Sequence, residues 1–173
     1  MNGANRRRFF YTVAMDDDWL AEPYHHLLRR DDAEFPDLLA RIPSPPDQVY
    51  VNGDPDLLSL PAIAIVGSRN PTDGGIRNAY QFARHLGHRG FCIVSGLAQG
   101  IDAAAHRGAL DAEAPTVAVL GHGIDRVYPA RNRDLAHAIS KRGALVSEFP
   151  LGSPPRRENF PQRNRLILSL IHI

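Results

Sequence analysis

Cysteine is all but absent: Cys92 is the only one in 173 residues. That excludes a disulfide within the chain and a cysteine-based metal site. Cys92 lies in an apolar stretch and reads as a small buried hydrophobe. Without a disulfide framework, a reducing, cytoplasmic location is the expectation. Long hydrophobic runs are missing too. No apolar stretch approaches the ~20 residues that cross a bilayer, so no membrane partner is expected. The opening NGANRRRFF leads into Asp16-Asp17-Asp18 with no sustained apolar segment, and no signal peptide is expected. Lysine is nearly missing as well: of 20 basic residues only Lys141 is a lysine. Such a bias accompanies GC-rich coding, so arginine abundance by itself carries no argument.

What is present suits a globular chain. The hydrophobic content is 43% and the length fits one domain with an appendage. The net charge of +1 conceals a gradient. Residues 1–60 hold 6 basic and 11 acidic side chains, net −5; residues 61–120 hold 5 and 4, net +1; residues 121–173 hold 9 and 4, net +5. A basic C-terminal portion favours an anionic partner, with nucleic acid the large-surface candidate. A solvated arginine-rich surface is the other reading.

From residue 62 the pattern alternates between short apolar runs and helical periodicity. Strands are expected at 62–66, 92–95, 116–120 and 144–148. Helices are expected at 76–89, from about Gln99 to Leu110, and from about Asn132 to Arg142, with Gly143 at the last C-terminus. This rhythm predicts an α/β fold: a Rossmann-like parallel sheet with helices on both faces. Residues 1–58 read as a short, mostly helical N-terminal region. Trp19, Leu20, Tyr24, Leu27 and Leu28 have loose helical spacing, and Phe35, Leu38, Leu39 and Ile42 suggest a second helix before Pro43. Val49-Tyr50-Val51 reads as a short strand.

Every chemistry-bearing motif falls at the carboxyl end of an expected strand, where ligands of open α/β sheets bind. After the first strand comes VGSRNPTDGG. Its backbone amides at a helix start favour an anion, and Arg69 adds a phosphate-shaped fork of donors. After the second comes SGLAQGIDAAAHRGAL. Gly96 and Gly100 allow close backbone approach. Asp102 and His106 share a helix face, either orienting a phosphate cradle or serving as a cap and a packed core histidine. After the third comes GHGIDRVYPARNRDL. There Asn132 is suited to capping, ligand positioning, or both, and Arg126, Arg131 and Arg133 cluster around it. After the fourth comes a long proline-rich loop, SEFPLGSPPRRENFPQRNRLI. Its Arg156, Arg157, Arg163 and Arg165 are interleaved with Phe149 and Phe160. Arginines tracking a backbone beside aromatics that stack on bases suit single-stranded nucleic acid; the phenylalanines also suit anchoring the loop to the core.

The ordered set VGSR, SGLAQGID, HRGAL, GHGID-x-x-YP-x-x-N, SEFPLG and FPQRNR resembles the DNA-processing protein A (DprA/Smf) family, from about Leu27 to Ile167. The resemblance implies an extended Rossmann-like fold that binds single-stranded DNA and no dinucleotide cofactor. It implies no catalysis, protection of incoming strands in natural transformation, loading of the RecA recombinase and homodimerisation of the complete protein. Carried onto this sequence, the resemblance gives Gly67, Ser68, Arg69, Gly96, Gly100, Asn132, Arg163 and Arg165 as nucleic-acid-binding residues; Arg131 and Arg156, among the loop arginines, are expected to join them.

The family's domain continues past FPQRNR, so 59–167 is expected to be the first half of it. Residues 168–173, LSLIHI, are the in-frame translation of CTGTCTCTTATACACATC, a transposon-based sequencing adapter end. They are expected to be foreign to the gene; a native stop codon after Ile173 would refute that. Two other functions compete. A nucleoside-monophosphate phosphoribohydrolase would need PGG-x-GT-x-x-E, and here Glu148 follows its strand without the glycine turn. A nicotinamide dehydrogenase would need GxGxxG and an acidic end to the second strand, where Ser95 stands instead.

Overall fold

The computed structural model describes residues 16–171. Six strands form one sheet: β1 (His25–Arg29), β2 (Gln48–Gly53), β3 (Ala62–Ala64), β4 (Cys92–Ser95), β5 (Thr116–Val119) and β6 (Ala144–Ser147), in the order β1-β2-β6-β5-β4-β3. β3 to β6 are parallel and consecutive, as the alternating pattern requires. β2 runs antiparallel to β6, and β1 antiparallel to β2. After a helical turn at residues 16–20, the helices are α1 (Asp37–Ala40), α2 (Asp73–His88), α3 (Ile101–Asp111), α4 (Arg133–Arg142) and α5 (Asn159–Ser169). Two short 3₁₀ turns cover Pro55–Ser59 and Ala130–Asn132.

The pleat divides the core. Val94, Val117, Val119 and Val146 pack on one face with Leu166, Ile167 and Leu170 of the α5 region and Leu39 of α1. Ala118 and Leu145 point to the other face, among Ala103 of α3 and Leu135, Ala136 and Ile139 of α4. Ile93 joins Ala83 of α2 and Ala105 and Ala109 of α3. Strands covered on both sides explain why their sequences are apolar throughout rather than alternating. Connections between neighbouring parallel strands are right-handed, which puts α2, α3 and α4 on one face. The expected helices on both faces are therefore present, with α1 and α5 on the second face.

Three local expectations give way. The segment ending in Leu27 and Leu28 is not helical there. Residues 16–20 are helical, Tyr24 turns the chain at φ 66°, and β1 follows. Leu27 pairs with Tyr50 and Leu28 with Val49, so these adjacent leucines serve opposite faces of a strand. α2 starts three residues earlier than its periodicity suggests. Thr72 Oγ1 accepts the Gly75 N–H at 3.1 Å, and this cap draws the two glycines into the first turn. Finally, the stretch read as a proline-rich loop to Ile167 becomes helical from Asn159. Pro161 sits in the first turn of α5, where its missing N–H has no helical partner to lose.

Candidate functional site

Four loops at the carboxyl ends of β3 to β6 meet above the sheet, and their geometry starts from Asp102. Asp102 lies in the first turn of α3 and is 5% exposed. Its Oδ1 accepts the Gly67 N–H at 3.4 Å, and its Oδ2 accepts the N–H groups of Gly96 at 3.2 Å and Ala98 at 3.4 Å. One side chain thus joins the loop after β3 to the loop after β4. Burial pushes its carboxyl above the usual range, while the nearby Arg163 guanidinium and the three amides pull it back. Gly100 completes the joint. It sits at φ 84°, and Ile101 N–H donates to the Ser68 carbonyl at 3.2 Å, so a Cβ at Gly100 would run into the Ser68 backbone and Pro71.

Arg163, from α5, reaches under this joint. It is 4% exposed, and its Nη1 donates to the Val119 carbonyl at the end of β5. A Cβ on Gly96 would collide with the guanidinium, which is why glycine stands there. Burial lowers the Arg163 pKa to about 10, with Asp102 opposing that shift and Arg69 adding to it. Arg165 is turned elsewhere: its Nη2 donates to Glu148, whose side chain is 7% exposed at the end of β6. Burial raises the Glu148 carboxyl, against the pull of Arg165.

Asn132 is buried and caps no helix; its Nδ2 donates to the Leu97 carbonyl at 2.9 Å and ties the loop after β5 to the loop after β4. The capping reading fails because Leu97, at φ 57°, turns its carbonyl toward Asn132 instead. Asn159 Nδ2 donates to the Gly121 carbonyl at 3.0 Å and fixes the start of α5 on the loop after β5. Two histidines of these loops and helices, His106 and His122, are internal. His106 Nδ1 donates to Thr116 Oγ1 at 2.7 Å, Thr116 donates on to the Ile93 carbonyl, and burial pulls the His106 pKa down to about 3. His122 Nδ1 donates to the Gly123 carbonyl at 2.9 Å.

Above this buried frame stand the groups that reach solvent. The exposed Arg69 guanidinium lies 4.9 Å from the centre of the Phe160 ring, a cation–π arrangement. Tyr128 lies 6.1 Å from Phe160, its ring tilted by 35°. Gln99 Nε2 donates to Asn70 Oδ1 at 3.3 Å on the opposite wall. A cleft of about 120 Å³ runs between Arg69, Gln99, Tyr128, Pro129 and Phe160. A second, of about 380 Å³, shares Arg69 and Phe160 and continues past Gly67 to Asn164. Together they form a trough, with Asp102 and Arg163 also lining the larger part.

The expected site residues therefore separate. Gly67, Ser68, Arg69, Gly96, Gly100, Asn132 and Arg163 come together in or directly beneath the trough. Arg165 is paired beside Glu148. Arg131 and Arg156 are exposed on the loops after β5 and β6. Tyr128 and Gln99 join the site without being expected there. Tyr128 reads from sequence as a turn former beside Pro129, and no spacing signal places its ring next to Phe160.

A trough lined by Arg69 and aromatic rings across the carboxyl ends of a parallel sheet defines a Rossmann-like class of protein. Comparison with known proteins makes this specific. The family model of DNA recombination-mediator protein A matches residues 26–172, and the chain belongs to that family, DprA/Smf. The chain is 47% identical over 147 residues to protein Smf of Synechocystis, which covers 83% of this chain and 37% of that protein. It is 42% identical over 153 residues to protein Smf of Escherichia coli, covering 88% and 41%. The chain therefore spans about two fifths of the length of these relatives. Among solved structures, DNA processing protein A from Streptococcus pneumoniae superposes with a TM-score of 0.83 at 33% identity, covering 96% of this chain and 58% of the other. The Helicobacter pylori protein, described for its single-stranded DNA binding mode, gives 0.77 at 31%, covering 86% and 66%.

Proposed function

We propose that this chain binds single-stranded DNA in the trough, as part of a protein that protects incoming strands and loads RecA recombinase in natural transformation. The observation that carries the reading is the exposed Arg69 guanidinium stacked on Phe160 at the carboxyl end of the sheet. Arg69 meets a phosphate with a fork of donors, and the rings of Phe160 and Tyr128 offer bases a stacking surface. Arg131 and Arg156, exposed on the loops after β5 and β6, add positive charge for further phosphates. Gly67, Gly96, Gly100, Asn132 and Arg163 hold the walls, and Ser68 shapes the Arg69 loop by accepting the Asn70 N–H at 3.1 Å. Arg165 fixes α5 through Glu148. A homodimer of the complete protein and a cytoplasmic location complete the proposal, on the strength of family membership.

The role is binding without chemistry. The groups best suited to proton transfer, Asp102, His106 and His122, are buried and hydrogen-bonded inside the frame. Glu148, the carboxylate a phosphoribohydrolase would need, is closed off by Arg165. Competition tests the reading: unlabelled oligo-dT and duplex of equal length displace a labelled oligo-dT, beside an assay for free base released from AMP. Displacement by the single strand at lower concentration, with no base released, is expected. Equal displacement by both, or release of adenine, overturns it.

A further inference from the structure

On the α4 face of the sheet lies a second hollow, of about 500 Å³, which shares no lining residue with the trough. Its floor is a row across three strands: His25 pairs with Asn52, and Asn52 with Leu145. One wall is the α4 face with Arg133, Ala136, His137 and Ser140, at helical spacing. Ala136 and Ser140 are small, which leaves room above the floor. Over β1 the wall is Trp19. Its ring stacks on His25 at 4.0 Å between centres and 11° between planes, and meets Tyr50 edge-on at 5.7 Å. The Tyr50 hydroxyl donates to Asp16 at 3.1 Å, and His25 Nδ1 donates to the Trp19 carbonyl at 2.8 Å. The helical turn at 16–20 is thereby pinned to the sheet, and the aromatic wall is set before any ligand arrives.

The charge of this lining is positive. Asp125 is its one carboxylate, and it is taken by Arg126 at 3.1 Å and by the Gly152 N–H at 2.9 Å. Arg133 is exposed and makes no ion pair among the described residues. Arg126 Nε is buried with no acceptor among them. An inorganic anion would use the cations and leave the ring and the apolar floor idle; an apolar ligand would do the reverse. Both together, at a volume within the roughly 300–1,000 Å³ of small-ligand sites, fit a phosphorylated ring compound. Asn52 adds an amide that both donates and accepts, as the edge of a base requires. We propose that this hollow is a second nucleotide site, separate from the trough, holding one nucleotide unit with its base at Trp19 and Asn52 and its phosphate at Arg126 and Arg133. The unit is a free mononucleotide or one residue of a strand that crosses the loop between β5 and α4, which presents Tyr128 to the trough and Arg126 to the hollow.

Trp19 is the only tryptophan of the chain, so its fluorescence reports on this hollow directly. Thymidine monophosphate and oligo-dT are titrated into the full chain as native protein, Arg133→Ala and Arg69→Ala. Thymidine monophosphate should quench Trp19 saturably in the native protein, bind about tenfold more weakly to Arg133→Ala, and bind Arg69→Ala as it binds the native chain. Saturation by oligo-dT alone, kept in Arg69→Ala and weakened in Arg133→Ala, assigns the hollow to the strand rather than to a free nucleotide. No saturable change with either probe overturns the inference. So does an equal response in native protein and Arg133→Ala, or a response to oligo-dT alone that is lost in Arg69→Ala. Anisotropy of labelled oligo-dT on the same samples keeps the two readings apart: loss of strand binding by the native protein would refute the proposed function, whereas the Trp19 response to thymidine monophosphate decides the hollow.

Discussion

Arg69 and Arg163 have the same side chain and lie near enough to repel each other, yet they do different work. Arg163 is buried against the Val119 carbonyl under Gly96; Arg69 is exposed on a ring. Residue type and spacing put both in the site, but which arginine points inward depends on Gly96, whose missing Cβ leaves room for a guanidinium brought by a helix 67 residues later in the chain. Phe160 fits two roles in sequence, anchor and stacking surface, and its half-buried ring beneath Arg69 combines them. Phe160→Ala should weaken oligo-dT binding by about 1–3 kcal/mol, read by anisotropy, with little change in salt dependence. His106 makes a prediction of a different kind. Its pKa falls from about 6.5 in the unfolded chain to about 3 in the fold. The unfolded state therefore takes up a proton first as pH falls. The contribution of His106 is complete above pH ~6.5 and declines by about 1.4 kcal/mol per pH unit on the way down toward the folded value. Asp102 and Glu148, whose carboxyls are raised by burial, act in the opposite direction. Urea denaturation of native protein and His106→Gln at pH 7 and pH 5 isolates the histidine: the variant should lose less stability than the native chain on acidification.

At the level of elements, the parallel strands are legible because a short apolar run between turn signals and helical periods fits a strand buried on both faces and little else. Helices α3 and α4 are legible from their periodicity to within about two residues. The start of α2 is not, because Gly74-Gly75 signals a turn and the Thr72 cap outweighs that signal. Thr72→Ala should cost about 1 kcal/mol in thermal or urea unfolding. It should also loosen the Arg69 loop, which runs directly into that cap. β1 is masked in sequence because its Leu27 and Leu28 end a run of five apolar residues, from Trp19 on, with loose helical spacing. Its pairing with β2 is visible only once the sheet is assembled. The start of α5 is hidden by its own proline, and with it the reason Arg163 and Arg165 diverge: on a helix two residues apart they project about 200° from one another, one into the frame and one toward Glu148.

Across the whole molecule, the placement of motifs at strand ends is enough to locate the site, since a parallel sheet gathers its carboxyl-end loops on one edge. What stays hidden in the sequence is the division of those loops into an internal frame and an exposed surface. Asp102, Asn132 and Asn159 bond to backbone groups of other loops, over sequence separations that carry no local signal. That division sets how the molecule should respond to salt. Strand binding through exposed arginines releases counterions, so affinity falls as salt rises, while the buried frame is screened much less. The most direct measurement is anisotropy of labelled oligo-dT against native protein and Arg69→Ala across a salt series. The account predicts salt-sensitive binding by the native chain, and in Arg69→Ala weaker binding with a log–log salt slope shallower by about 1. Equal affinity and equal slope in the two proteins would contradict it.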